Sequence, residues 1–118
     1  MRYLLLIYGD ESTYGQTSEA ELSADMEKWG EYTAAITSSG ASPGGAALQP
    51  TATATSVREH NGNPLVTDGP FAETREQLGG YYVLDVENLD QAIDWAKRCP
   101  GIKFGTIELR PIYEFEQG

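Results

Sequence analysis

Tyr3-Leu4-Leu5-Leu6-Ile7-Tyr8 is the stretch on which the fold turns. The run is apolar or aromatic throughout, and Gly9-Asp10-Glu11 ends it, so it reads as one β-strand. Side chains alternate across a sheet, which puts Tyr3, Leu5 and Ile7 on one face and Leu4, Leu6 and Tyr8 on the other. Both sets are apolar, and a strand apolar on both sides is covered on both sides. The chain has 118 residues and reads as one domain over 1–118. In so small a domain helices cover one face. A second subunit is the simplest cover for the other.

Outward from that strand, Gly9 to Thr17 is a polar loop. Ser18-Glu19-Ala20-Glu21 has the form of a capping box, with Ser18 as N-cap. Leu22, Met26, Trp29, Thr33 and Ile36 follow at helical spacing, so the pattern predicts an amphipathic helix over 19–39, stopped at Gly40. Met26 and Trp29 are expected in its core. Ala46 to Leu48 reads as a short strand and Thr51 to Arg58 as a longer one with a face of small residues. Asn61-Gly62 is a strong hairpin signal, and Leu65 to Thr67 is the return strand. Tyr81 to Val86 is another strand. Asn88 caps a second helix with Gln91 three residues on, and Leu89, Ala92, Ile93 and Ala96 form its buried stripe. Pro100-Gly101 ends it, and Thr106 to Ile112 is the last strand. The order is two β-α-β units with an inserted hairpin. It predicts an α+β fold of the ferredoxin-like, split β-α-β kind: an antiparallel sheet with both helices on one face.

The formal charge is −10, from 18 acidic and 8 basic residues. That balance argues against a nucleic-acid partner, whose phosphates need clustered Lys and Arg, and against an anionic membrane surface. The apolar run at Leu4 to Tyr8 is too short for a signal or a membrane span, so the expected location is cytoplasmic. The single cysteine, Cys99, permits no intrachain disulfide and reads as a small apolar filler. The single histidine, His60, reads as an exposed flank of the hairpin turn rather than an acid/base residue. One His and one Cys, far apart, make no zinc set, and the acids show no calcium-loop spacing, so no metal is expected. Gly44-Gly45 lacks the spacing and the Lys of a phosphate loop, and no cofactor is expected.

Asp68-Gly69-Pro70-Phe71-Ala72-Glu73-Thr74 joins two strands through a segment that resists regular structure. Gly69 tolerates backbone angles other residues resist, and Pro70 lacks an amide donor. Such a loop lines a pocket or turns a corner, and both readings stand. In the second, the Asp68 side chain simply accepts amide hydrogen bonds from the turn behind it.

The chain resembles the YCII-related proteins, in the branch marked by a DGPF motif. The resemblance rests on Tyr3-Leu4-Leu5-Leu6-Ile7-Tyr8-Gly9-Asp10, Leu48-Gln49-Pro50-Thr51-Ala52-Thr53-Ala54-Thr55, Val66-Thr67-Asp68-Gly69-Pro70-Phe71-Ala72-Glu73-Thr74, Glu76-Gln77-Leu78-Gly79-Gly80, and Asp94-Trp95-Ala96 through Cys99-Pro100. It runs nearly end to end. It implies a homodimer in a dimeric α+β barrel, with two sheets face to face. It also implies small enzymes without a known substrate, some encoded beside extracytoplasmic-function sigma factors. In the wider group a His-Asp pair is the proposed active site. This chain supplies Asp68 at the motif position and no matching histidine, because His60 lies in the hairpin.

If the Asp68 loop closes over the sheet face between subunits, Asp68 becomes a carboxylate in an apolar pocket. Burial raises a carboxylate pKa and suits it to shuttle a proton near neutral pH. Tyr8 would then hydrogen-bond a substrate oxygen, and Phe71 and Tyr82 would stack on a ring. Arg75 would balance an anionic substrate, or merely pair with Glu73 or Glu76. Two functions follow. One is a cofactor-free enzyme performing proton transfer, isomerisation or elimination on a small organic molecule. The other is a non-enzymatic small-molecule-binding or regulatory dimer linked to sigma-factor systems.

Overall fold

The computed structural model describes residues 1–16 and 18–115. Its regular elements are β1 (Arg2–Gly9), α1 (Glu19–Ser38), β2 (Gly44–Ala47), β3 (Thr55–His60), β4 (Asn63–Asp68), β5 (Gln77–Asp85), α2 (Leu89–Arg98) and β6 (Gly105–Pro111). Four strands form one sheet in the order β2-β5-β1-β6, with every neighbouring pair antiparallel. β3 and β4 pair only with each other, as a separate antiparallel ribbon. The fold is mixed α+β, as the element order predicts.

The caps form where the sequence places them. Ser18 Oγ accepts the Glu21 amide at 3.2 Å, and Asn88 Oδ1 accepts the Gln91 amide at 3.0 Å. Gln91 reaches back to accept the Glu87 amide at 2.9 Å, which supplies a second partner for the free amides of the α2 terminus. Gly40 ends α1 with φ +81°, a conformation that favours glycine. In the hairpin Asn61 and Gly62 both take positive φ, 52° and 80°, as a two-residue turn matched to strand twist requires.

The core lies on one side of the sheet. Tyr3, Leu5, Tyr82 and Leu84 pack there with Tyr32 and Ile36 of α1, Ala92 of α2 and Cys99. Tyr32 stands edge-on to Trp29, Tyr82 and Trp95, with ring centroids 5.6 to 6.3 Å apart. Ile107 and Leu109 of β6 close the same side. By alternation the opposite side presents Leu4, Leu6 and Tyr8 of β1, Tyr81 and Val83 of β5, and Thr106, Glu108 and Arg110 of β6. Among the described residues no helix covers this second face.

Three expectations are corrected. Met26 is 67% exposed and Leu22 is exposed with it. The burial of α1 begins at Trp29, and its first turns extend past the packed core. Leu89, at the first position of α2, is exposed in the same way. Thr51–Thr53 forms a 3-10 turn, and β3 starts only at Thr55. The Thr53 and Ala54 amides bond back to Pro50 and Thr51, which coils the chain where an extended strand is expected.

The surface is larger than a compact chain of this size exposes. The accessible area is 8628 Å², roughly 2,300 Å² above the area expected for a folded monomer of this mass. The radius of gyration is 16.6 Å, against about 13.5 Å for a compact domain of this length. The ribbon and the open sheet face both contribute to this extra surface.

Candidate functional site

The polar side chains with a place in an apolar setting collect on the open face of the sheet, at the C-terminal end of β1. Tyr8 is half-buried there, opposite Thr106 on β6. Its phenol is held above its ordinary value by burial first and by the neighbouring Glu108 carboxylate second, with Arg110 opposing. A phenol so placed keeps its proton at neutral pH and acts as a hydrogen-bond donor. Glu108 is ion-paired with Arg110 two residues along the same face. Thr106 Oγ donates to Glu76 Oε1 at 2.7 Å, which ties β6 to the segment entering β5. Tyr8, Glu108 and Arg110 thus set a donor, an acceptor and a cation beside Leu4, Leu6, Tyr81 and Val83.

Glycines shape this end of the sheet. Register shifts between Ile7 and Tyr8, which pair with Gly80 and Leu78, so Gly79 is the extra residue of a bulge. A side chain on Gly9 or Gly79 would begin 3.3 or 3.5 Å from the Tyr14 hydroxyl, which occupies the space they leave. At Gly105 a Cβ would fall 1.9 Å from the Tyr8 carbonyl oxygen.

A hydrogen-bond clip holds the ribbon's two roots to the same end of the sheet. The Glu11 carboxylate accepts from the Thr51 amide at 2.9 Å and from the Thr51 hydroxyl at 2.7 Å. The Glu11 amide donates to Gln77 Oε1 at 2.9 Å, and the Gln77 side-chain amide donates to the Thr74 carbonyl. Thr51 precedes the ribbon and Thr74 follows it. Asp10, beside the clip, takes the Ser12 amide and hydroxyl, and these bonds hold its carboxyl below its usual range. The sequence reading misses Glu11, Gln77, Thr51, Tyr14 and Glu108, because each acts through a partner distant in the chain.

The predicted site residues are not gathered by one chain. Asp68 is the last residue of β4, opposite Thr55, and is exposed. Its turn is held by other atoms: the Gly69 amide donates to the Ala54 carbonyl at 2.6 Å, and Ser56 Oγ donates to the Gly69 carbonyl at 2.7 Å. Among the described residues no hydrogen bond reaches the Asp68 carboxylate. It is therefore neither buried in an apolar pocket nor a turn-builder within one chain. Phe71 is 79% exposed. Arg75 is exposed and forms no ion pair with Glu73 or Glu76; its charge makes a minor contribution to lowering the Asp10 carboxyl. Tyr82 lies on the helix side, hydrogen-bonded to Thr33 at 2.5 Å, with the sheet between it and Tyr8. His60 is exposed at the end of β3.

One cleft of about 730 Å³ lies away from all of these, between Met1, the Ser39–Gly40 corner and Asp94, Trp95 and Arg98 of α2. Arg98 already lies over the Trp95 ring at 4.3 Å, so the cleft's one aromatic face is occupied. Among the described residues no three His, Cys, Asp or Glu side chains gather as metal ligands, and no helix is long and apolar enough to cross a membrane.

Comparison with known proteins matches residues 1–116 to the YCII-related domain. An uncharacterized protein of Rhizobium meliloti (strain 1021) is 35% identical over 120 residues, a match that covers 100% of this chain and 97% of the relative. The chain belongs to the YCII-related family.

Proposed function

We propose that this YCII-related chain works as a homodimer that closes its open sheet face against a second copy and holds a small organic molecule between the two. In this reading the split β-α-β sheet is a ferredoxin-like protomer, the dimer is an α+β barrel, and Asp68-Gly69-Pro70-Phe71 supports membership of the DGPF branch. The observation that carries the reading is the Tyr8, Glu108 and Arg110 set. A phenol, a carboxylate and a guanidinium stand within a face otherwise built from Leu4, Leu6, Tyr81 and Val83. Apolar area of that kind favours being covered, at roughly 25 cal/mol per Å² before the costs of association. Once covered, the bonding capacity that the Glu108–Arg110 pair and Tyr8 do not use on one another calls for a further partner. A small molecule with an oxygen acceptor and a ring satisfies them.

The activity that suits these groups is proton transfer without a cofactor. Tyr8 donates, the Glu108 carboxylate accepts, and Arg110 stabilises negative charge that develops on the ligand. A regulatory, ligand-binding dimer is the second reading. It is favoured by the position of Asp68, which no contact within one chain brings to Tyr8. A cytoplasmic location accompanies both readings, supported by the shortness of the apolar run at Leu4 to Tyr8.

The test is a thermal-shift screen of small aromatic acids and phenols, with turnover of each hit followed by NMR. Ligands should raise the melting temperature of the wild type and leave Tyr8→Phe unmoved. Turnover of a hit would select the enzyme, and binding without turnover the regulator. A screen in which Tyr8→Phe and wild type respond alike would reject this site.

A further inference from the structure

The β3–β4 ribbon is fixed at its roots and makes little packing with the other described elements of its own chain. The Glu11–Thr51 and Gln77–Thr74 bonds anchor both ends, whereas neither strand makes substantial packing with any other strand or helix. Each strand has six residues, so the ribbon projects about 20 Å. An isolated two-stranded ribbon is at best marginally stable in water.

The ribbon's two faces differ. Val57 pairs with Val66, and by alternation Thr55, Glu59, Pro64 and Asp68 share their side. The reverse side carries Ser56, Arg58, His60, Asn63, Leu65 and Thr67. Val57 and Val66 are 65% and 64% exposed, a directly opposed β-branched pair with nothing over it. Asp68 stands two residues beyond Val66 on that same side. Whatever covers the valine pair therefore meets the unbonded Asp68 carboxylate.

We propose that the ribbon is an arm that packs its Val57–Val66 face on a second copy of this chain, and that Asp68 joins the ligand site only through that contact. The inference rests on the dimer proposed above and adds to it the surface that forms it and the residue it delivers. The size of the exposed surface argues for a second copy. Roughly 2,300 Å² beyond a compact monomer is the scale of an extensive obligate interface, larger than an average-sized contact provides per partner. Two-fold symmetry also lets each arm cover the other chain and leaves no arm free. Asp68 then passes from solvent to an intersubunit boundary, where a carboxylate with no protein partner is available to a ligand.

The test compares wild type, Val57→Lys/Val66→Lys and Leu4→Lys by light scattering across a dilution series. Circular dichroism checks folding, which the arm variant should keep because the ribbon lies outside the core. The arm variant should dimerise at least tenfold more weakly than wild type. If it dimerises as tightly while Leu4→Lys does not, the arm proposal fails and the sheet-face dimer stands. If wild type is monomeric throughout, both fail. An independent measurement is hydrogen exchange in the wild type. Amides of residues 55–68 should exchange more slowly in the dimer than at concentrations where it has dissociated, and exchange independent of concentration would overturn the arm.

Discussion

The carboxylate of Glu11 grips Thr51 twice, by its amide at 2.9 Å and its hydroxyl at 2.7 Å. Residues 40 positions apart are thereby locked at the end of the sheet, where the projecting ribbon begins. Hydrogen bonds to a charged acceptor are worth more than neutral ones, so Glu11→Ala should cost about 1 to 2 kcal/mol in denaturant unfolding. Amide exchange should rise at residues 51–55 and stay unchanged in β1. An unaltered exchange profile there would mean that the ribbon's root is held some other way.

Asp68→Asn should leave folding stability within about 0.5 kcal/mol of wild type, because the turn is held by Gly69 and Ser56 and not by the carboxylate. A loss above about 1 kcal/mol would assign Asp68 a structural role after all. With stability unchanged, any loss of ligand response or turnover in this variant is chemical in origin. The ligand-induced shift found for wild type is the readout, and its persistence at full size would remove Asp68 from the site.

The local grammar of the chain was legible and its long-range bonds were not. Ser18 and Asn88 announce their helices because a capping side chain bonds an amide three residues away. Asn61-Gly62 announces its turn because only certain residues accept positive φ. The alternation in Tyr3 to Tyr8 groups Tyr3, Leu5 and Ile7 on one face, the one the helices pack against, while the cover expected for Leu4, Leu6 and Tyr8 belongs to the proposed dimer. Leu22 and Met26 mislead for a related reason: spacing shows that side chains share a stripe, but not how far the sheet beneath extends. Tyr82 was assigned to the ligand from its place beside the motif, though one step of alternation sends it into the core with Tyr32. The Glu11–Gln77 bond joins residues 66 apart, and no pattern of composition encodes such a pairing.

Gly105→Ala should be among the most damaging small substitutions. The new methyl carbon would stand 1.9 Å from the Tyr8 carbonyl oxygen, far inside van der Waals contact, and the neighbour is backbone that cannot rotate away. Strain of this kind costs about 2 to 3 kcal/mol, and relief requires β6 to separate from β1 at Tyr8. Urea unfolding measures the loss. Ligand response should fall with it, because Glu108 and Tyr8 are diagonal neighbours across that strand pair. A neutral melt would show that β6 does not approach β1 this closely.

Tyr32 and Cys99 should make the protein sensitive to alkali. Burial pushes the Cys99 thiol above its ordinary 9.0. Burial also pushes the Tyr32 phenol above its ordinary 10.0, with the nearby Cys99 as a second cause. Both groups are neutral when protonated, and folding favours that form. Below the ordinary values the two states bind these protons alike, and the native preference contributes in full. As pH rises past 9.0 the unfolded chain ionises first at Cys99, and past 10.0 at the tyrosine, so stability falls until the folded values are also passed. The melting temperature should therefore hold steady through neutral pH and decline from about pH 9 upward. A thiol reagent at about pH 8 should leave Cys99 unmodified in the folded protein, since the group is 1% exposed and its thiolate is suppressed. The same reagent should react fully after denaturation. Rapid modification of the native protein would mean that the pocket around Tyr32 opens, and the alkaline decline should then be smaller, because the folded values would lie closer to the ordinary ones.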